Sequence, residues 1–434
     1  MEQLTLIFLP GISQCGIDQS AAGISAKLAS VFDTQSKTDD QFGRMAQFRS
    51  RSVGSIDFDE DPSSGAKRRA DCAEVIRSLN GEAQSRLVVY VVQDVKDSVE
   101  SALRRPPWSR LLRVLFTLLV AFAKLRKLFS FRSHGTGKAW AVFWASLVMS
   151  SLVLYFLLLV LAVTITVLEA LPHFAENFDH LWSWIPRHEY VIPWSAAALV
   201  VINSFVLPFL PETWRRALAE STQGWLVLLD YMNNAESTTN YTRSIAALIE
   251  HLEQTSGTEQ NVYVIGYSFG SVLGADAIFP RERATPPGAL TRVRSFASVG
   301  FPQEPLNVFW PSHFRDRTDP LKISGRWVNV SVDGDPISTR FHLADGDRAS
   351  LNGKSEPGPI PATELRSGDW TQAGEAGFVS QLLLRGVASL HGSYWGNTSH
   401  LPGCFVPLVP AMFESTVMLD GPPAAATETH DAET

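Results

Sequence analysis

Residues 263–274 read YVIGYSFGSVLG, an apolar run that is interrupted by one serine between two glycines. The residues NVYVI (261–265) favour a short buried strand, because β-branched and aromatic side chains follow one another without a charge. The residues SVLGADAIF (271–279) favour a helix. Ser268 is therefore predicted to lie on the turn between a strand and a helix, with Gly266 and Gly270 on either side of it.

A Gly-x-Ser-x-Gly pattern between a strand and a helix is typical of a nucleophile elbow. We expect Gly266 and Gly270 to leave room for the sharp turn that lifts Ser268 to the helix N-terminus. The backbone N–H of Phe269 is then a predicted oxyanion-hole donor, helped by the helix dipole. A helix start of small residues without chemistry is the alternative, since the bare pattern also occurs by chance.

A serine nucleophile needs a base, and the base needs a carboxylate that orients it. After a nucleophile elbow these partners follow in the chain order acid, then histidine. The stretch VNVSVDGDPIST (328–339) ends a predicted strand with Asp333 and Asp335 in a turn. Asp335 is the predicted acid and Asp333 the alternative, while His391 is the predicted base and His400 its competitor.

Further short apolar stretches alternate with helical patterns along the chain. One helical pattern covers 18–32 and a second covers 222 to about 254, whereas 35–85 is polar, with an evident loop at DFDEDPSSG (57–65). Buried strands are predicted at LTLIFL (4–9), RLVVYVV (86–92), RVRSFASVG (292–300) and RWVNVSV (326–332). This alternation predicts the α/β class, with a mostly parallel sheet that is flanked by helices.

Two long uncharged stretches predict a transmembrane hairpin, at about 139–168 and 190–211. The second stretch contains Pro193, Asn203 and Pro208, which weaken the prediction there, and core helices of a large protein are the alternative for both. The segment 111–129 carries basic residues within an apolar run, which predicts an amphipathic helix on an anionic bilayer or else a soluble packing helix.

The charges around the hairpin predict its orientation. Nine Lys or Arg and no acidic residue lie between 104 and 138, whereas the connecting loop 169–189 is acidic. By the positive-inside rule, the α/β domain and both termini are expected in the cytoplasm, at the inner membrane if the chain is bacterial. His173, His180 and His188 fall in the predicted outer loop and are excluded as the base.

The predicted organisation has four parts along the 434 residues. An α/β domain is formed by 1–103 and 217–415, a membrane insert occupies 104–216, and 416–434 forms a disordered tail. The net charge of −7 gives no reason to expect nucleic-acid binding, and the three distant cysteines indicate neither a disulfide framework nor a zinc site. No metal or cofactor is expected, and the oligomeric state stays open.

Four stretches together carry a resemblance to a known family: VIGYSFGS, ASVGFP (297–302), VNVSVDGDPIS and HGSYW (391–395). The chain resembles a lipase-like serine hydrolase of the α/β-hydrolase superfamily over about 1–100 and 217–415. The resemblance implies that Ser268 is the nucleophile, His391 the base and Asp335 its orienting acid. It does not extend over the predicted hairpin.

One position departs from the family pattern. The first strand of such hydrolases usually ends in His-Gly, and here it ends FLPGIS (8–13), with Pro10 in place of the histidine. The N–H of Ile12 is the predicted second oxyanion donor, with Gly11 as the alternative.

The predicted activity is hydrolysis of lipid acyl esters, in the manner of a lipase or phospholipase, through an acyl-serine intermediate. The bilayer and a lipid or other acyl ester are the predicted partners. A thioesterase for acylated proteins or acyl carriers is one alternative, and a non-catalytic membrane scaffold on a hydrolase fold is the other.

Overall fold

A computed structural model describes seventeen stretches of the chain. They are 2–12, 19–38, 46–60, 67–79, 81–93, 227–233, 235–256, 261–279, 290, 292–313, 326–332, 335, 338–339, 348–349, 360–366, 393–395 and 403–413. The predicted membrane insert, the predicted tail, His391, His400 and Asp333 lie outside these described residues.

The described strands form one nine-stranded sheet in the order β2-β3-β4-β1-β5-β6-β7-β9-β8. Their bounds are β1 Glu2–Leu9, β2 Ala46–Glu60, β3 Lys67–Leu79, β4 Glu82–Val92, β5 Asn261–Tyr267, β6 Val293–Val299, β7 Trp327–Ser331, β8 Arg348–Ala349 and β9 Ile360–Arg366. The central strands from β4 to β9 pair in parallel, and the edge pairs β2–β3, β3–β4 and β8–β9 are antiparallel. Strands that precede residue 94 and strands that follow residue 260 therefore share one sheet.

Helices cover both faces of this sheet. They are α1 Ala21–Thr38, α2 Ala235–Ser256, α3 Phe269–Ile278, α4 Gln303–Phe309 and α5 Phe405–Met412, with one 3-10 turn at Ser393–Trp395 and a helical segment at 227–233. Alternate residues of β1 point to opposite faces: Leu6 and Phe8 pack with α1 and α5, whereas Ile7 and Leu9 pack with α2 and α3. The α/β class and the mostly parallel sheet are thus confirmed.

Five predicted strands are present close to their predicted bounds, and the long strands β2 and β3 were not predicted. Residues 35–85 are polar and the loop was predicted at 57–65, but they contain the hairpin of β2 and β3, and β2 continues through residues 57–60. Part of β3 has an alternating buried pattern, whereas most of β2 is solvent-exposed at the edge of the sheet. An exposed edge strand gives little hydrophobic signal, which explains why β2 was not predicted.

The predicted localisation, an integral membrane protein with two spans, is contradicted and is corrected here. Within the described stretches, no helix combines the length and the apolar character that crossing a bilayer requires. The 22-residue α2 is long enough but carries Arg243, Glu250 and Glu253, and the apolar α3 has only 10 residues. The stretches 139–168 and 190–211, on which the prediction depended, lie outside the described residues.

Candidate active site

Ser268 lies between β5 and α3, as its neighbours predict. Its backbone has φ 53° and ψ −114°, and it is the one non-glycine residue with positive φ in the described part of the chain. A side chain in this conformation costs free energy, of order 1–3 kcal/mol, that the surrounding structure must offset. Such strain at a strand-to-helix turn is typical of a nucleophile elbow.

The two glycines of the pattern allow this turn. A Cβ on Gly266 would lie 2.5 Å from the carbonyl oxygen of Gly270 and 2.6 Å from Ser271 Cα. A Cβ on Gly270 would lie 1.9 Å from the carbonyl oxygen of Leu9, at the end of β1. These contacts are with backbone atoms, so no side-chain rotation could make room for a larger residue at either position.

Hydrogen bonds fasten the turn to the adjacent strand. Ser268 N–H donates to the carbonyl oxygen of Val299 at 2.8 Å. The buried Ser271 hydroxyl donates to the carbonyl oxygen of Gly266 at 2.6 Å and accepts the N–H of Val299 at 3.1 Å. Ser271 thus links the start of α3 to both β5 and β6.

The end of β1 lies against the elbow. β1 is flanked by β4 on one side and by β5 on the other. Strands β2 to β4 therefore lie on one side of β1 and the later strands on the other, so the strand order switches between β1 and β5. Ligands of open α/β sheets bind at the carboxyl ends of strands beside such a switch point. Gly11 is so close that a Cβ on it would lie 3.2 Å from Ser268 Cβ.

The structure distinguishes the two candidate N–H donors at the end of β1. Gly11 N–H already donates to the side-chain Oε1 of Gln19, at 2.8 Å. Gln19 precedes α1 and fixes the path of the chain after β1. This contact favours Ile12 over Gly11 as the donor to a ligand on this side of Ser268.

Asp335 follows β7 and is completely buried. Its N–H donates to the carbonyl oxygen of Val332 at 3.1 Å, and its Oδ2 accepts the hydroxyl of Tyr394 at 2.9 Å. The same Tyr394 oxygen accepts the N–H of Val332 at 3.1 Å. Asp335 is therefore held through its backbone N–H and through its carboxyl group.

Tyr394 stays a hydrogen-bond donor over a wide pH range. Burial, and then the neighbouring Asp335 carboxylate, raise the pKa of its phenol well above the ordinary value of 10.0. An ionised phenol beside a buried carboxylate would place two negative charges in a medium of low dielectric constant. The contact between Tyr394 and Asp335 is therefore stable at physiological pH.

Tyr394 and Trp395, from the HGSYW segment, also contact the end of β5. The ring of Tyr267, which precedes Ser268, lies 6.3 Å from the Tyr394 ring and 5.1 Å from the Trp395 ring. Trp395 also packs against Phe8 of β1, and its carbonyl oxygen accepts Lys27 Nζ at 2.6 Å. The segment that begins at His391 thus reaches both Ser268's neighbour and Asp335, although His391 itself lies outside the described residues.

A buried polar network anchors the loop that carries Asp335. Trp327 Nε1 donates to Ser298 Oγ at 2.9 Å, and Ser298 Oγ donates to Asn329 Oδ1 at 2.8 Å. Asn329 Nδ2 then donates to the carbonyl oxygen of Thr339 at 3.0 Å. The N–H of Thr339 donates to the carbonyl oxygen of Phe301 at 2.7 Å. Strands β6 and β7 thereby help to position the chain around Asp335.

Sequence reasoning missed several of these residues. Tyr394 lies in the quoted HGSYW segment but was given no role, and Gln19 and Ser271 carry no pattern of their own. Asp276 had a signal, because it is the one charged residue in the apolar helix α3. Among the described residues, no group of three or more His, Cys, Asp and Glu is placed to hold a metal ion.

Comparison of the chain with protein-family models, with curated proteins and with solved structures finds no match. The assignment of a function therefore depends on the geometry of the site alone.

Proposed function

We propose that the chain is a serine ester hydrolase of the α/β-hydrolase type, with Ser268 as its nucleophile. The observation that carries the proposal is the convergence of three segments. Ser268 lies on a strained strand-to-helix turn, and its neighbour Tyr267 packs on Tyr394, which in turn hydrogen-bonds to the buried Asp335. His391 precedes Tyr394 by three residues in the sequence, which supports His391 as the base.

The proposed reaction has two steps. Ser268 Oγ attacks the ester carbonyl carbon while His391 accepts the hydroxyl proton and passes it to the departing alcohol. Water then attacks the acyl-serine, with His391 again as the base, and releases the carboxylic acid and Ser268. Asp335 orients His391 and stabilises its charged form in both steps.

The charge that develops on the carbonyl oxygen needs donors on both sides. Phe269 N–H, at the N-terminus of α3, supplies one donor and benefits from the helix dipole. Ile12 N–H supplies the other, since Gly11 N–H is engaged by Gln19.

Lipid acyl esters are the proposed substrate class. β4 ends at Val92, and its carboxyl end lies next to that of β1, on the edge of the sheet where Ser268 lies. The chain that continues from this end includes 139–168, which contains no charged side chain. A long uncharged stretch in the same chain favours an acyl chain over a polar substrate.

Kinetics on a panel of esters tests the proposal. Wild-type protein should hydrolyse p-nitrophenyl esters and phospholipid or glyceride in mixed micelles, and Ser268→Ala should lower kcat by about 10⁴-fold or more. Ser36→Ala on α1 is the matched control and should change nothing. Preference for an acyl thioester would favour the thioesterase, and a well-folded wild-type protein without turnover of any ester would favour the non-catalytic alternative.

A further inference from the structure

A buried cluster joins α3 to two other segments of the chain. Its members are Tyr231, from the helical segment 227–233, Asp276 in the last turn of α3, and His313, which follows α4. The Tyr231 hydroxyl donates to Asp276 Oδ2, and His313 Nε2 lies 3.0 Å from Oδ2 and 3.2 Å from Oδ1. All three side chains are buried.

The cluster extends along α3 to the elbow. Tyr231 packs its ring edge-on against Phe269, with centroids 5.1 Å apart and planes at 87°. Phe269 and Asp276 are seven residues apart, which places them on the same face of a helix, two turns from each other. Tyr231 thus lies along this face, with its ring on the first turn and its hydroxyl on the last.

We infer that Tyr231, Asp276 and His313 are positioning residues that fix the first turn of α3 for catalysis. This inference rests on the proposed function, because Phe269 supplies one of the two proposed oxyanion donors. The other donor, Ile12, follows the end of β1, so the hole has its required geometry only if α3 is held in one position relative to that end of β1. A buried carboxylate is costly to place unless it is hydrogen-bonded, and here its partners come from two other segments of the chain.

A second contact joins those two segments. Trp310 Nε1 donates to Asn233 Oδ1 at 3.2 Å, and His313 N–H donates to the carbonyl oxygen of Trp310 at 2.9 Å. The segments 227–233 and 310–313 therefore act together as one support for α3.

Asp276→Asn is the decisive variant. An asparagine has one acceptor oxygen in place of two, so one of the two donors would face an NH₂ group. We expect kcat per active site, titrated with a fluorophosphonate, to fall about 10- to 100-fold with KM unchanged. Asp33→Asn, on α1, is the matched control and should leave kcat unchanged.

Two further variants separate hydrogen bonding from packing. Tyr231→Phe keeps the ring on Phe269 but removes the hydroxyl, and should lower kcat by a smaller factor. His313→Gln can still donate to Asp276 and should retain more activity than His313→Ala. A lower melting temperature with wild-type kcat per titrated site would overturn the inference, because the cluster would then be merely structural.

Hydrogen exchange provides a readout that does not need an active enzyme. Asp276→Asn should accelerate exchange of the amides at 269–272 by about tenfold or more relative to amides of β4 in the same protein. Unchanged exchange at 269–272 would overturn the inference. If the wild-type protein cleaved no ester, the proposed function would fail, and this exchange measurement would still decide whether the cluster holds the turn.

Discussion

Gly270→Ala tests how closely the nucleophile elbow is fitted to the end of β1. The new Cβ would lie 1.9 Å from the carbonyl oxygen of Leu9, 2.6 Å from the Leu9 carbonyl carbon and 2.9 Å from the Pro10 carbonyl oxygen. Real Cβ atoms essentially never approach another atom within 3.0 Å, so β1 and α3 must move apart by about 1 Å. All three atoms belong to backbone, and no side-chain rotation relieves the contact.

The displacement affects the proposed oxyanion hole directly, because Phe269 begins α3 and Ile12 follows the end of β1. A misplacement of about 1 Å costs about 10²-fold in rate, and an overpacked core costs about 1–3 kcal/mol of stability. We therefore expect kcat/KM on a p-nitrophenyl ester to fall about 10²-fold, and the free energy of unfolding in urea to fall by about 3 kcal/mol.

Gly274→Ala is the matched control for this experiment. Its Cβ would meet the ring of Phe296 at 2.5 Å, and a side chain can shift where backbone cannot. This variant should lose stability but keep its kcat per titrated active site. Wild-type kcat/KM in Gly270→Ala would refute the reasoning, because the elbow and β1 would then not need their close approach.

Three other outcomes are expected. Asp335→Asn should lower kcat by about 10³- to 10⁴-fold in steady-state assays, whereas Asp333→Asn should have little effect; the reverse order would transfer the role of the acid to Asp333. Tyr394→Phe should lower the free energy of unfolding in urea by about 1.5–3 kcal/mol, because a buried carboxyl group loses its donor, and an unchanged value would contradict the contact. Burial raises the pKa of the Cys72 thiol from 9.0 to about 11, so the thiol ionises more readily in the unfolded chain. The free energy of unfolding in urea should therefore fall as pH rises from about 9 to about 11, and Cys72→Ala should show a smaller fall than wild type. An equal fall in the two proteins would exclude the thiol as a cause.

The core of the fold could be predicted because its strands are continuous apolar runs. β1, β4, β5, β6 and β7 are each buried on both faces, and such strands differ clearly from the polar sequence around them. The edge hairpin could not be predicted in this way, since β2 is exposed along most of its length. β2 forms because its backbone pairs with β3, and not because its side chains are buried.

The turn at Ser268 could be predicted from a short sequence pattern, whereas the residues that hold the candidate site in place could not. Ser268 and its two glycines depend on steric limits within a few residues, which a short pattern records. Tyr394 and Asp335 are 59 residues apart, and Asp276 and His313 are 37 apart. Contacts over such separations follow from the folded arrangement of the sheet, and no spacing in a single sequence indicates them.

The most direct test of the account is covalent labelling of the intact chain with a fluorophosphonate, followed by peptide mapping. The account predicts one adduct per chain, located on Ser268 and lost in Ser268→Ala, with labelling slowed strongly in His391→Gln and little in His400→Gln. Labelling that persists in Ser268→Ala, or that maps to another serine, would contradict the assignment of Ser268 as the nucleophile.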